Sequence, residues 1–323
     1  MTARKSIEVG LKTIVVAIGL TIIFMVAVIV SGMARSASGA TATSAATAGQ
    51  AASTGQPANV MLLLFVASLI QAIVVAYMVL EAKWSGWKIA GALFLLVLNT
   101  WAQAAIDSVP YFRAPSFQGH VPPHFTNQAL VAGLVTAALF APFAVWILGG
   151  FRQAAQEGPG ERAHWSAARW IGTLAATTVA FVALYYLCGY YIAWQNPALR
   201  QFYSGTTEIR SFWGQIAWIW SSTPWMFPLQ AGRGVLFVLM TLPAVRMLRG
   251  GAARVAFGTA LMYAVWDGSA GLIVPNPFFP PTVAHTHLVE LLVWGLVFGA
   301  LVGWLAGRSS PPAPAELQVA KAA

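Results

Sequence analysis

Charge is what this sequence has least of. Only 8% of its 323 residues are Asp, Glu, Lys or Arg, against about 25% in an ordinary soluble domain. The chain is 58% hydrophobic and cannot cover itself in water with so little polar surface. A soluble globular fold is excluded, and a lipid solvent is implied. Cysteine is nearly absent. The single Cys188 excludes an intramolecular disulfide, and its apolar surroundings read as those of a small buried hydrophobe. Nucleotide-binding motifs are missing, with no G-x-x-x-x-G-K-[ST] and no G-x-G-x-x-G after a strand, which argues against a single-chain ATP-driven pump. Neither H-E-x-x-H nor G-x-S-x-G occurs, so the usual zinc-protease and serine-hydrolase arrangements are excluded. There is no basic stripe. The 18 Lys and Arg are scattered between apolar runs, so the net charge of +9 does not point to nucleic acid.

What is present is a series of eight apolar stretches, at roughly 13–31, 60–80, 89–108, 128–149, 170–193, 227–247, 254–274 and 284–306. Each is long enough for a ~30 Å hydrocarbon core at 1.5 Å per residue. The expected fold is all-α, a polytopic bundle of about eight transmembrane helices. The first stretch follows Arg4, Lys5 and Lys12 and exceeds the h-region of a signal peptide, so it reads as an uncleaved anchor. With the N-terminus in the cytoplasm, 13 of the 18 basic residues fall on the inner side. The five others are Arg35, Arg113, Arg200, Arg210 and Arg233. That split places both termini inside, in the inner membrane if the cell is bacterial. Residues 1–308 are expected to form one transmembrane domain, and residues 309–323 a disordered cytoplasmic tail. Residues 34–57 read as a flexible external linker.

Two patterns bear on organisation. Spans one and five begin after Lys12 and Arg169, 157 residues apart. Asp107 is followed by Pro122, Pro123 and His124, much as Asp267 is followed by Pro280, Pro281 and His285. Both fit a 4+4 pseudo-repeat of residues 12–150 and 169–308, a recurrent plan in transporters; chance hydrophobic self-similarity is the alternative. The Trp-rich run 211–228 reads as an external amphipathic or re-entrant segment entering the sixth span, or as one over-long helix kinked at Pro224.

The ionisable residues inside this apolar chain carry the functional argument, because charge in a membrane is expensive. Asn99, Gln103 and Asp107 follow at i, i+4, i+8 and share a helix face. They read as a hydrogen-bonded seam or as one wall of a solute or proton path. Arg233, Asp267 and Glu290 stand at similar depth on three spans. Arg233 is expected to pair with one or both of these carboxylates, leaving a surplus negative charge for a proton, a metal ion or a cationic solute. His287 and Glu290 at i, i+3, with His285 at the lip, have a workable divalent-metal spacing. His120 and His124 in the adjoining loop are further candidate ligands. Interfacial histidines satisfied by water are the plainer alternative. Tyr185, Tyr186, Tyr190, Tyr191 and Trp194 form an aromatic belt or the wall of a ligand site. Gly295, Gly299, Gly303 and Gly307 make a close-approach row, for packing within the fold or for a homo-oligomer.

The run HTHLVELLVWGLVFGALVGWL resembles the Gly-rich last helices of intramembrane CAAX-type proteases. The paired glutamates and following arginine of those enzymes are missing here, so their activity is not carried over. Three functional classes stay open. One is a transporter or solute- or ion-binding protein with a polar site opening to the external face. Another is a membrane-embedded enzyme using a metal or His/Glu chemistry on a lipid or small apolar substrate. The last is an accessory or assembly subunit.

Overall fold

The structure, a computed structural model, describes residues 3–34, 57–109, 124–155, 166–267, 269–275 and 279–308. Among these there is no strand, and the architecture is all-helical. The helices are α1 (Ala3–Val30), α2 (Pro57–Leu80), α3 (Trp87–Ser108), α4 (Phe125–Leu148), α5 (Ala167–Cys188), α6 (Pro197–Ser204), α7 (Phe212–Ser222), α8 (Met226–Met247), α9 (Ala252–Trp266) and α10 (Pro281–Gly307). Seven are long and apolar enough to cross a membrane: α1, α2, α3, α4, α5 with its π-helical extension Gly189–Ala193, α8 and α10. The chain is a multi-pass integral membrane protein.

The stretch expected as the seventh span is where the structure departs most from expectation. α9 has 15 residues, about 22 Å of helix, and stops at Trp266. A 3-10 turn, Ala270–Ile273, follows. The Asp-Gly-Ser sequence after Trp266 and the prolines from Pro275 onward resist helix. α10 restarts with Pro281 in its first turn, where a missing N–H costs nothing. The segment is a broken helix rather than a continuous one.

Arrangement follows a regular plan. α1 packs on α2 and α4, and α3 packs on α4. In the same way α5 packs on α8 and α10, and α9 packs on α10. Across these two groups, α3 lies on α8 and α2 lies on α9. The α9–α10 contact is the closest. A Cβ on Gly295, Gly299, Gly303 or Gly307 would lie 2.5, 2.5, 2.6 or 2.8 Å from α9 backbone atoms. The glycine row is thus filled by α9 of the same chain. Beside it, Phe181, Phe237, Tyr263, Trp294 and Phe298 form an aromatic core joining α5, α8, α9 and α10, with Phe237 and Tyr263 ring centroids 4.7 Å apart.

The two ends of the bundle differ. One end is a basic clasp. The Lys83 N–H donates to Met247 and the Arg249 N–H to Glu81, bracketing a lone Ala82–Leu248 bridge. Arg249 pairs with Glu81 at 3.1 Å, and Arg169 donates to the Arg308 carbonyl. The opposite end carries the shorter helices. Asn196 caps α6 by accepting from the Ala198 N–H at 2.9 Å, with Pro197 in the first turn and Gly205 at φ 71° closing it. Ser211 caps α7. Run 211–228 is therefore two helices split at Thr223–Trp225, not one over-long helix.

Candidate functional site

The polar residues of the apolar chain gather at that second end, in two groups. The first is a hydrogen-bonded file between α3, α8 and the broken end of α9. Asn99, Gln103 and Asp107 lie along one face of α3, as their spacing requires, and Asn99 is fully buried. The Arg233 guanidinium makes four polar contacts. Its Nη1 lies 2.7 Å from Asp107 Oδ1 and its Nη2 donates to Asp107 Oδ2 at 2.9 Å. Its Nε donates to Gln103 at 3.0 Å, and Nη1 also donates to Gln230 at 3.1 Å. Gln103 in turn donates to Asn99 Oδ1 at 3.4 Å, and Asn99 donates to Asp267 Oδ1 at 3.0 Å. The file thus runs without a break from Asp107 to Asp267.

Arg233 does not pair with Asp267 or Glu290, as similar depth had suggested. Its charge is taken by Asp107, on the helix that packs directly against α8. Equal depth on three helices does not bring three side chains together; the face each helix turns does. Asp267 is left as the exception. Its Oδ2 is buried and, among the described residues, has no hydrogen-bond partner and no paired cation. It caps the C-terminus of α9, where the helix dipole opposes a negative charge. α3 closes this helix end: Thr100 donates to the Trp266 carbonyl at 3.0 Å, and Trp266 Nε1 donates to the Gln71 carbonyl on α2 at 3.2 Å. Non-helical backbone at this depth must be buried in protein or line a cavity.

The second group lies on α10 and α6. His287 Nδ1 is 2.7 Å from Glu290 Oε2, and His287 Nε2 is 2.9 Å from the Tyr203 hydroxyl. Glu290 is one turn along α10 and faces the π-helical widening of α5; a Cβ on Gly189 would lie 3.4 Å from Glu290 Oε1. Helix α6 is tied to α10 a second time, where Asn196 Nδ2 donates to Thr286 at 2.7 Å. Ala193, Leu199 and Val283 pack beneath, with Trp194, Phe202 and Phe279 around them.

The metal reading does not match this geometry. Both ring nitrogens of His287 are occupied, by Glu290 and Tyr203, and His285 is exposed. Among the described residues no three His, Cys, Asp or Glu converge on one point. His124 caps α4 in an exposed position, and His120 lies outside the described residues. The aromatic belt turns toward α7 and α8, with Tyr191 stacked on Phe212 and Tyr186 against Phe227. Tyr203 was missed by sequence reasoning, because nothing local distinguishes it from any interfacial tyrosine. Thr100 was also missed, although its place beside Asn99 on a polar α3 was a usable signal. No known protein family matches the chain, and no curated protein or solved structure is detectably similar to it.

Proposed function

We propose that this protein binds and moves a small solute, with a proton or a cation, through a site where the broken helix α9 meets α3. The observation that carries this reading is Asp267. It is an acid at a helix C-terminus inside an apolar bundle, with one oxygen held by Asn99 and the other, buried, without a partner. A lone charge at such depth costs at least ~2.5 kcal/mol. Arg233 does not supply the compensation, since its contacts are with Asp107, Gln103 and Gln230. A proton, a cation or a cationic group of the solute can.

The plan of the bundle supports the same reading. The matched packing of α1–α4 and of α5, α8, α9 and α10 fits a 4+4 repeat, with residues 12–150 and 169–308 as the halves and α9 counted as an eighth, interrupted segment. Asp107 and Asp267 then end the third helix of each half, at the junction between them. Repeat junctions and interrupted helices are where transporters place substrate and coupling ions. With the basic clasp at Glu81 facing the cytoplasm, both termini lie inside and the file opens to the external side, in the plasma (inner) membrane if the cell is bacterial.

The test is thermal unfolding of the purified chain in nanodiscs, with sodium, potassium or methylammonium chloride and across a pH series. Wild type should be stabilised by at least one of these additions, or should show a pH-dependent midpoint, in a way that Asp267→Asn abolishes. Identical responses in wild type and Asp267→Asn would remove the basis of the proposal.

A further inference from the structure

The Tyr203–His287–Glu290 group is not needed by the reading of Asp267 and stands apart from it. Its connectivity is that of an activated nucleophile: a hydroxyl within hydrogen-bond reach of an imidazole, and the imidazole held from its other nitrogen by a carboxylate. Such constellations are recognised by geometry and roles rather than by sequence position. Here the three members come from two elements, α6 and α10, and the contacts are 2.9 and 2.7 Å. Glu290 has a side chain only 12% exposed and His287 one 22% exposed, so the relay is partly shielded from water without being sealed. Glu290 holds the imidazole with its proton on Nδ1, leaving Nε2 to accept the phenol proton.

We infer that Tyr203 is a nucleophilic oxygen for acyl transfer, with His287 as its base and Glu290 as the residue that positions the base. The substrate class is an amphiphile carrying an ester or similar activated carbonyl. A phenolate-like oxygen is a hard nucleophile suited to carbonyl carbon. The side chains around it, Trp194, Phe202 and Phe279, are apolar aromatic surface of the kind that meets amphiphiles at a membrane interface. In the step, the Tyr203 oxygen bonds to the carbonyl carbon and its proton passes to His287 Nε2. The bond from carbon to the leaving oxygen breaks, and that oxygen takes the proton from His287.

N-acetylimidazole serves as the acyl donor, with the full-length protein in nanodiscs and acetylation at each tyrosine followed by peptide mass spectrometry. The same bond forms on the Tyr203 oxygen, and imidazole leaves with the proton. Tyr203 should be acetylated faster than Tyr191, which is 60% exposed and has no such base. His287→Gln should slow acetylation of Tyr203 by about tenfold or more, the low end of what a general base contributes, with Tyr191 unchanged. Glu290→Gln should slow it as well, and Glu290→Asp should restore part of the rate, which loss of fold would not do. Glu81→Gln, in the clasp at the opposite end of the bundle, should leave Tyr203 acetylation at its wild-type rate. Melting curves identify any variant that is unfolded, and Glu290→Asp then carries the comparison. The inference is overturned if Tyr203 reacts no faster than Tyr191, or if folded His287→Gln acetylates Tyr203 at the wild-type rate.

Discussion

Asp107 and Asp267 stand at matching places and live differently. Each closes a helix that begins just after the basic clasp, and each joins the same hydrogen-bonded file. Asp107 has both oxygens against the Arg233 guanidinium. Asp267 has one amide donor and a buried oxygen with nothing attached. The difference lies in what the neighbouring helix presents. α8 turns Arg233 toward α3, whereas the Gln71 carbonyl of α2 accepts from Trp266 and not from Asp267's side. One carboxyl is thus structural ballast for an arginine, and the other is left with capacity for something that is not protein.

Breaking the paired member should have the largest effect on stability. Arg233→Ala leaves Asp107 without its cation and strips donors from Gln103 and Gln230. Removing one partner of a buried pair costs about 3–5 kcal/mol. The lower end is expected here, because the Asp107 side chain is 30% exposed. Urea or thermal unfolding in detergent should show it, and Arg233→Gln combined with Asp107→Asn should recover most of the loss. Next is Gly299→Ala, whose new Cβ would fall 2.5 Å from the Thr259 carbonyl oxygen. That overpacking forces α9 and α10 apart at a cost of about 1–3 kcal/mol, shifting the broken end of α9 against α3.

Smaller effects sharpen the contrast. Asn99→Ala removes the one donor that Asp267 has, a loss of about 1–3 kcal/mol that Asp267→Asn in the same chain should not relieve fully, since Gln103 also loses its acceptor. Asp267→Asn alone should change stability by less than about 1 kcal/mol, because no ion pair is lost and an amide oxygen still accepts from Asn99. If Asp267→Asn proved as damaging as Arg233→Ala, the two acids would be equivalent and the contrast would fail. Least of all is Glu81→Gln at the clasp, where Arg249 and Arg254 are partly exposed and about 0–1 kcal/mol is expected. All of these can be read from unfolding midpoints of purified variants.

Hydropathy was enough to read the long helices, because each span is a run of apolar residues that needs no partner to be recognised. It failed at α9 for a physical reason. The apolar run continues past Trp266, but Asp267, Gly268 and Ser269 favour a helix end, and a window average hides three residues. The face shared by Asn99, Gln103 and Asp107 was legible because i, i+4, i+8 is a property of one helix. The partner of Arg233 was not, because it depends on which face α8 turns and on α3 being its neighbour. His287 and Glu290 were legible as a pair on the same grounds. Tyr203 was not, since it comes from a short helix far away in sequence that docks through Asn196 and a small aromatic cluster.

The most direct measurement is an infrared difference spectrum of carboxyl and carboxylate bands, recorded on wild type and Asp267→Asn as pH or cation is changed. Wild type should show a buried-carboxyl signal that shifts with proton or cation, is absent from Asp267→Asn and persists in Glu290→Gln. Superimposable difference spectra for wild type and Asp267→Asn under every condition would contradict the assignment of Asp267 as the ligand-binding acid.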